Sequence, residues 1–489
     1  MPEPAIIPRP AHAVFPPGIL PLTESAQVTA PPAIAELVRE VLPGVSGTFG
    51  LIEAAELGPE GYRLRIDGDG VEALAPTETG LRWAVSTLRQ LAGPGGLPYA
   101  EITDVPRLPW RGALLDVARW CHPIEFVREF VDLLALHKLN TLHLHLTDDQ
   151  GWRFEVRKYP RLTEVGAHRT ESNAGHARDG KFDGTPHGGY YTQAELRDLV
   201  AYAERRGVRV MPEIDLPGHM QAAISAYPWL GNDPARQLPV RTAWGISKHV
   251  LNTDDATLAF ARDVLDEVVA VFPFEYVHLG GDEVPLDEWA ASEAAQKRVA
   301  NEGLGGTAEL LGWWIKQMGD HLAAHGRKIA AWDELVEAAP PKDALIFAWR
   351  GAERVTAALD AGHEVVAVPQ EFVYLDHYET QSPDEPQGIG GHTPLERVYG
   401  FEPVPTGAAG RVLGTQGMLW SEYTPTPALV QFRAFPRLAA VAEVAWSADR
   451  DPADFQWRLD AHLVRLEQRG VTVNRLGLPP FSPIMNYRA

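Results

Sequence analysis

Eight extended apolar runs, separated by segments of helical periodicity, constrain the fold of this chain more than any other feature of its sequence. They begin at Gly112 (GALLDV), Asn140 (NTLHLHL), Val208 (VRVMPEI), Glu275 (EYVHLG), Lys328 (KIAAW), Ala344 (ALIFAW), Glu364 (EVVAV) and Arg411 (RVLGT). Strands alternating with helices build a parallel sheet, and eight such units are the number that closes a (β/α)8 barrel. Between the first two runs Ile124, Val127, Phe130, Val131 and Leu134 share one helical face, as a crossover helix packed on a sheet requires. The expected fold class is α/β, a TIM barrel preceded by a small α+β domain.

The boundary is expected near residue 105, in the proline-rich segment Asp104 to Gly112, which gives an α+β unit over 1–105 and a barrel over 106–489. In the first unit Tyr62, Leu64 and Ile66 alternate with polar residues before the turn Asp67-Gly68-Asp69-Gly70, a hairpin pattern. Leu81, Ala84, Val85, Leu88 and Leu91 then repeat at helical spacing, with Gly93 as the expected terminator. A net charge of -21 argues against nucleic-acid phosphates or an anionic membrane surface as partners. Cys121 is the only cysteine, which excludes an intramolecular disulfide framework and a cysteine-rich zinc site. The amino terminus shows no basic region followed by an apolar stretch, so an intracellular location is expected unless another export route operates.

In a barrel of this kind the chemistry sits at the carboxyl ends of the strands. Arg119 follows the first run, Asp148 and Asp149 the second, Glu213, Asp215 and His219 the third, and Asp282 and Glu283 the fourth. The fifth and sixth end at Trp332 and Trp349, the seventh leads to Tyr374 and Asp376, and the eighth to Trp420 and Glu422. Aromatic rings mixed with carboxylates and one guanidinium suit a sugar, whose faces stack while its hydroxyls need polar partners. Asp282 and Glu283 are neighbours, with Cα atoms only about 3.8 Å apart, so they cannot flank a sugar as opposed carboxylates do. One of them donating a proton leaves the nucleophile to come from elsewhere, and the substrate is a candidate. His143 and His145 alternate with leucines and read as hydrogen-bonded core histidines, with metal ligation as the alternative.

The segments HLGGDE (278–283), HKLNTLHLHLTDDQGWR (137–153), MPEIDLPGH (211–219), WDE (332–334), YLD (374–376) and LWSE (419–422) resemble the β-N-acetylhexosaminidases of glycoside hydrolase family twenty. The likeness covers nearly the whole chain. It implies exo-acting, retaining cleavage of terminal N-acetyl-hexosamines, with the substrate's own acetamide as nucleophile and without a metal or other cofactor. Glu283 is implied as the general acid, kept protonated near neutral pH by burial or by its negative neighbour, and Asp282 as the group that orients the acetamide. Tyr374 is implied as its hydrogen-bond donor, Trp332, Trp349 and Trp420 as its enclosure, and Arg119, Asp376 and Glu422 as partners of the ring hydroxyls. Asp148 and His219 are implied to stand behind Glu283. The loop after Asp148 and the segment from Gln381 to Thr406 are expected to border the leaving-group side.

Rival classes remain at this stage. The His143-Leu144-His145 pair resembles the HxH of metal-dependent amidohydrolase barrels, although the fifth and sixth runs end in tryptophan where that class needs histidine. An inert sugar-binding barrel is a second alternative, opposed by retention of both Asp282 and Glu283. A chitinase-like endo enzyme is a third, but its DxDxE spacing does not follow the fourth run.

Overall fold

The computed structural model describes residues 4–478. Its eight parallel strands, Trp110–Asp116, Thr141–His145, Arg209–Glu213, Tyr276–His278, Lys328–Trp332, Leu345–Ala348, Val365–Ala367 and Val412–Leu419, close into a barrel. Each expected run supplies one strand: the fifth coincides with its run, the first begins at Trp110 and the eighth extends to Leu419, beyond their runs, and the others are trimmed at one or both ends. The crossover helix Ile124–Leu136 buries Val127, Phe130, Val131 and Leu134 completely against the sheet. Aromatic packing of Trp110 on Phe347 and Tyr276 fills the lower end of the barrel, so it is a packed core with one working mouth.

Ahead of it lies a six-stranded mixed sheet with the helices Pro32–Val41 and Glu78–Leu91. The expected hairpin pairs Tyr62–Asp67 with Gly70–Ala75. The second helix begins where the Thr77 side chain accepts from the amides of Thr79 and Gly80, and it closes at Ala92 in extended conformation, one residue before the expected glycine. This domain is fastened to the barrel by Asp104, which accepts from Lys138 Nζ (2.6 Å), the Tyr62 hydroxyl (2.8 Å) and Trp446 Nε1 (2.9 Å). All four side chains are buried. No helix among the described residues is long and apolar enough to cross a membrane.

At the back of the barrel one histidine pair has its tautomers dictated by geometry. Arg465 can only donate, so at 2.7 Å it makes His462 Nδ1 an acceptor, and His462 Nε2–H must donate to His137 Nε2 at 2.8 Å. His137 Nδ1–H then donates to the Leu133 carbonyl at 2.7 Å. Neither ring can take a second proton without losing a bond. Burial pushes His137 down to about 4 and His462 well below its usual value. An unfolded histidine takes up its proton below about pH 6.5, whereas the folded His137 resists until about 4. Stability is therefore fully present above pH 6.5 and is lost as pH falls through that window. Replacing His137 by Gln should make the fall in unfolding free energy from pH 7 to pH 4.5 smaller than in wild type by roughly 2–3 kcal/mol. Urea unfolding at the two pH values measures this, and an equal fall in both proteins would refute it.

Candidate active site

The fourth strand ends at His278, and the turn after it explains the Gly-Gly pair. Gly280 and Gly281 have φ of +65° and +86°, a region that side chains with a Cβ avoid. Space forbids a side chain as well: a Cβ on Gly280 would lie 1.8 Å from Asp215 Oδ1, and one on Gly281 would lie 2.7 Å from Leu335 Cδ1. The turn thereby throws Asp282 and Glu283 into the mouth. Glu283 itself sits at φ +48°, a conformation costing on the order of 1–3 kcal/mol for a residue with a Cβ. The Asp282 side chain is 14% exposed and that of Glu283 35%. Glu283 is thus more open than the sequence reading supposes.

Burial first, then the charges of Glu283 and Glu213, push the Asp282 carboxyl above the usual range, against the opposing charge of His219 and a hydrogen bond from Asp215. His219, from the loop after the third strand, stands behind the pair. Its Nε2 is 3.5 Å from Glu283 and 3.7 Å from Asp282, and its Nδ1 is 3.2 Å from Asp148 Oδ1. Asp148 also receives His145 Nε2 (3.0 Å) and Arg119 Nη2 (2.8 Å). Burial disfavours the Asp148 charge, but Arg119 foremost and then His219 more than compensate and hold its carboxyl well below the usual range.

Asp149 does not enter the mouth; it accepts from the amides of Gln221 (3.0 Å) and Ser247 (2.9 Å) and ties two loops together. Arg119 is both a pocket residue and a structural ion-pair partner, since it also contacts Asp116 (3.2 Å) and Gln150 (3.1 Å).

The aromatic residues converge as the sequence reading expects. Trp332 and Trp420 have ring centroids 5.9 Å apart, Tyr374 lies 6.4 Å from Trp420, and Trp349 stacks 6.1 Å from Tyr374. The Arg119 guanidinium stands 5.3 Å from the Trp420 ring. On the same side, burial and then the neighbouring charge of Glu422 push Asp376 up to about 8. Asp282 Oδ1, Asp376 Oδ1 and His219 Nε2 are buried and lack a hydrogen-bond partner among the described residues. Groups of this kind cost about 1–3 kcal/mol each when left unsatisfied, and a ligand bearing amide and hydroxyl groups relieves that cost.

Several contributors were not assigned a role from the sequence. Glu334 accepts from Trp349 Nε1 at 3.0 Å, and burial, followed by the charges of Asp282 and Asp333, pushes it up to about 8. Its place two residues after Trp332 in the WDE segment is the available signal. Asp116 anchors the amides of Ala118, Arg119 and Ser421, joining the ends of the first and eighth strands. In the loop after Asp148 the Ala177 amide donates to the Tyr423 hydroxyl (3.0 Å) and His176 Nε2 meets the Ile389 carbonyl (3.1 Å), so this loop packs against the segment from Gln381 to Thr406 and next to Glu422.

Three sets of side chains bring potential metal-binding atoms together here: His143, Glu213 and His278; Asp148, Asp215 and His219; and His219, Asp282 and Glu283. The first is fully buried, and Glu213 already accepts from His145 and Trp332. A hydrolytic metal needs a coordination position open to substrate, which that set does not offer.

Comparison with known proteins agrees with this geometry. Residues 108–449 match the model of the glycosyl hydrolase family 20 catalytic domain, and residues 3–105 match domain 2 of the same family. A beta-hexosaminidase of Porphyromonas gingivalis is 40% identical over 442 residues, covering 86% of this chain but only 56% of that longer protein. A beta-N-acetylhexosaminidase of Cellulomonas fimi is 33% identical over 94% of both chains. The solved structure of an exo-β-N-acetylglucosaminidase from Vibrio harveyi in complex with N-acetylglucosamine superposes with a TM-score of 0.85 at 31% identity, over 97% of this chain and 79% of that one. With the barrel, the preceding domain and the Asp282-Glu283 turn all in place, the chain belongs to glycosyl hydrolase family 20.

Proposed function

We propose that this chain is an exo-acting, retaining β-N-acetylhexosaminidase working by substrate assistance. The observation that carries the reading is the pair of adjacent carboxylates, Asp282 and Glu283, presented side by side beneath an aromatic enclosure. Substrate assistance is an established departure from the two-opposed-carboxylate scheme. The acetamide carbonyl oxygen attacks the anomeric carbon, the glycosidic C–O bond breaks, and Glu283 gives its proton to the departing oxygen. A positively charged oxazolinium ring results. Water then attacks the anomeric carbon from the vacated face, its proton passes to Glu283, and the ring opens, so two inversions return the original configuration.

Asp282 accepts a hydrogen bond from the acetamide N–H. Its charge is disfavoured by burial, so it is best compensated when the cationic ring forms, which is where stabilisation accelerates a reaction. Tyr374 donates to the acetamide oxygen, while Trp332, Trp349 and Trp420 enclose the methyl group and the sugar face. Arg119, Asp376 and Glu422 bind ring hydroxyls, and Asp148 and His219 hold Glu283. The names of the relatives and the N-acetylglucosamine in the Vibrio harveyi structure support a small sugar or oligosaccharide substrate ending in an N-acetyl-hexosamine.

Turnover of aryl β-N-acetylglucosaminide, N-acetylgalactosaminide and glucoside tests the assignment. We expect strong cleavage of the first, comparable or weaker cleavage of the second, and almost none of the third, which lacks the internal nucleophile. Rapid cleavage of the plain glucoside would overturn it.

A further inference from the structure

Four consecutive barrel strands carry an alternation that the mechanism above does not use. Strand register places Asp116 beside His145, His145 beside Glu213, and Glu213 beside His278. Acid, imidazole, acid and imidazole therefore form one row across the upper barrel, all buried. Interiors of such barrels are ordinarily filled by branched apolar side chains, and buried ion pairs contribute little net stability compared with packed apolar groups. A row of this kind needs a reason other than holding the fold together.

The hydrogen bonds of His145 supply one. Its Nδ1 lies 2.6 Å from Glu213 Oε2 and its Nε2 lies 3.0 Å from Asp148 Oδ2. Carboxylates only accept, so both contacts are hydrogen bonds only if both ring nitrogens carry protons. His143 differs: Gln416 Nε2 donates to its Nδ1 at 3.0 Å, which makes it the neutral tautomer with Nε2–H facing Glu213 at 3.0 Å. The charged and titratable groups around His145 are Glu213, Asp148, Asp116, Asp215, Arg119 and His143. Acids outnumber cations among them. The other oxygen of Glu213 accepts Trp332 Nε1–H at 2.9 Å and stands 3.0 Å from His278 Nδ1. One carboxylate thus touches the indole that floors the pocket and the imidazolium that leads, through Asp148 and His219, to Glu283.

We propose that Glu213 is a positioning residue that keeps His145 as an imidazolium between two carboxylates and so sets the place and proton of Glu283, four side chains away. This rests on the assignment of Glu283 as general acid. Without Glu213 the imidazole gives up its Nδ1 proton, Asp148 keeps the Nε2–H bond but loses the positive charge behind it, and His219 is held differently against the acid. The consequence is specific to bonds whose departing oxygen needs a proton.

The test compares kcat/KM on two substrates in wild type and Glu213→Gln. N,N′-diacetylchitobiose releases a sugar oxygen that must be protonated, whereas 2,4-dinitrophenyl β-N-acetylglucosaminide releases a stable phenolate that needs no proton. We expect a loss on the order of 100-fold on the disaccharide, at least about tenfold greater than the loss on the aryl compound. Equal losses on both substrates would overturn the proposal and leave Glu213 as a packing residue. His145→Gln is the companion variant, because it leaves the Glu213–Trp332 bond in place. It should show the same disparity with KM near the wild-type value; equal losses there would likewise overturn the proposal, also where Glu213→Gln does not fold. Wild-type turnover of the aryl compound separates this inference from the functional reading: without turnover both fall, and with it the variant ratios alone decide on Glu213.

Discussion

Glu283→Gln should fold normally and lose about 10²- to 10⁴-fold in kcat/KM on N,N′-diacetylchitobiose, the range expected when a general acid is removed. The amide has nearly the shape of the acid and keeps its place above His219, but it has no proton to give. On 2,4-dinitrophenyl β-N-acetylglucosaminide the loss in the first step should be far smaller, because the leaving group departs unaided. Slow reaction of water with the ring intermediate then limits turnover, since the variant lacks the base as well. Azide, which attacks without needing deprotonation, should restore part of the rate and form the β-azide. Losses of the same size on both substrates with no azide effect would remove Glu283 from the role of proton donor.

The second large effect is that of Asp282→Ala. It removes a largely buried carboxylate facing the site where positive charge develops, and removal of such a preorganised group costs about 3–4 kcal/mol, or about 10²–10³ in kcat. Freedom returned to the acetamide adds to the loss, because well-held intramolecular reactants gain on the order of 7–11 kcal/mol of barrier lowering from proximity and orientation. Steady-state kinetics on the aryl N-acetylglucosaminide measures the effect. A kcat within about threefold of wild type would show that Asp282 does not face the reacting atoms. The cost of burying the Asp282 charge also implies that this variant is no less stable than wild type, so loss of activity without loss of thermal stability is the expected pairing.

Much of this site was legible in one dimension because a barrel converts chain order into geometry. Each strand ends at the same rim, so residues just beyond the eight apolar runs meet regardless of their separation in sequence. Trp332, Trp420 and Tyr374 come from the fifth, eighth and seventh strands and still bring their rings to within 6.4 Å of a neighbour. The Gly280-Gly281 turn was likewise visible, although the reason for it, Asp215 and Leu335 occupying the space of two Cβ atoms, was not.

Contacts that depend on register or on loops reaching sideways stayed hidden. Nothing in the spacing of His145 and Glu213 reveals that their strands pair so as to place them side by side. The alternation in NTLHLHL shows only that His143 and His145 share a face. Glu334 stands two residues after Trp332 in the WDE motif, yet its bond to Trp349 joins the end of the fifth strand to the end of the sixth. The contacts of the segment around Ala177 with Tyr423 and Ile389 are set by packing between loops distant in sequence. In the first domain the hairpin was readable from its turn, whereas the short strands His12–Val14 and Val28–Thr29 have too few residues to show a period.

Progressive fluorination of the substrate's N-acyl methyl group tests the role of the acetamide most directly. Each fluorine withdraws electrons from the amide carbonyl oxygen and weakens it as a nucleophile while scarcely changing its size. If that oxygen attacks the anomeric carbon, kcat/KM for the aryl glycosides should fall steeply and in order from acetyl through mono- and difluoroacetyl to trifluoroacetyl, by about tenfold for each 1.4 kcal/mol added to the barrier. A rate that stays level across the series would contradict substrate assistance and require another nucleophile.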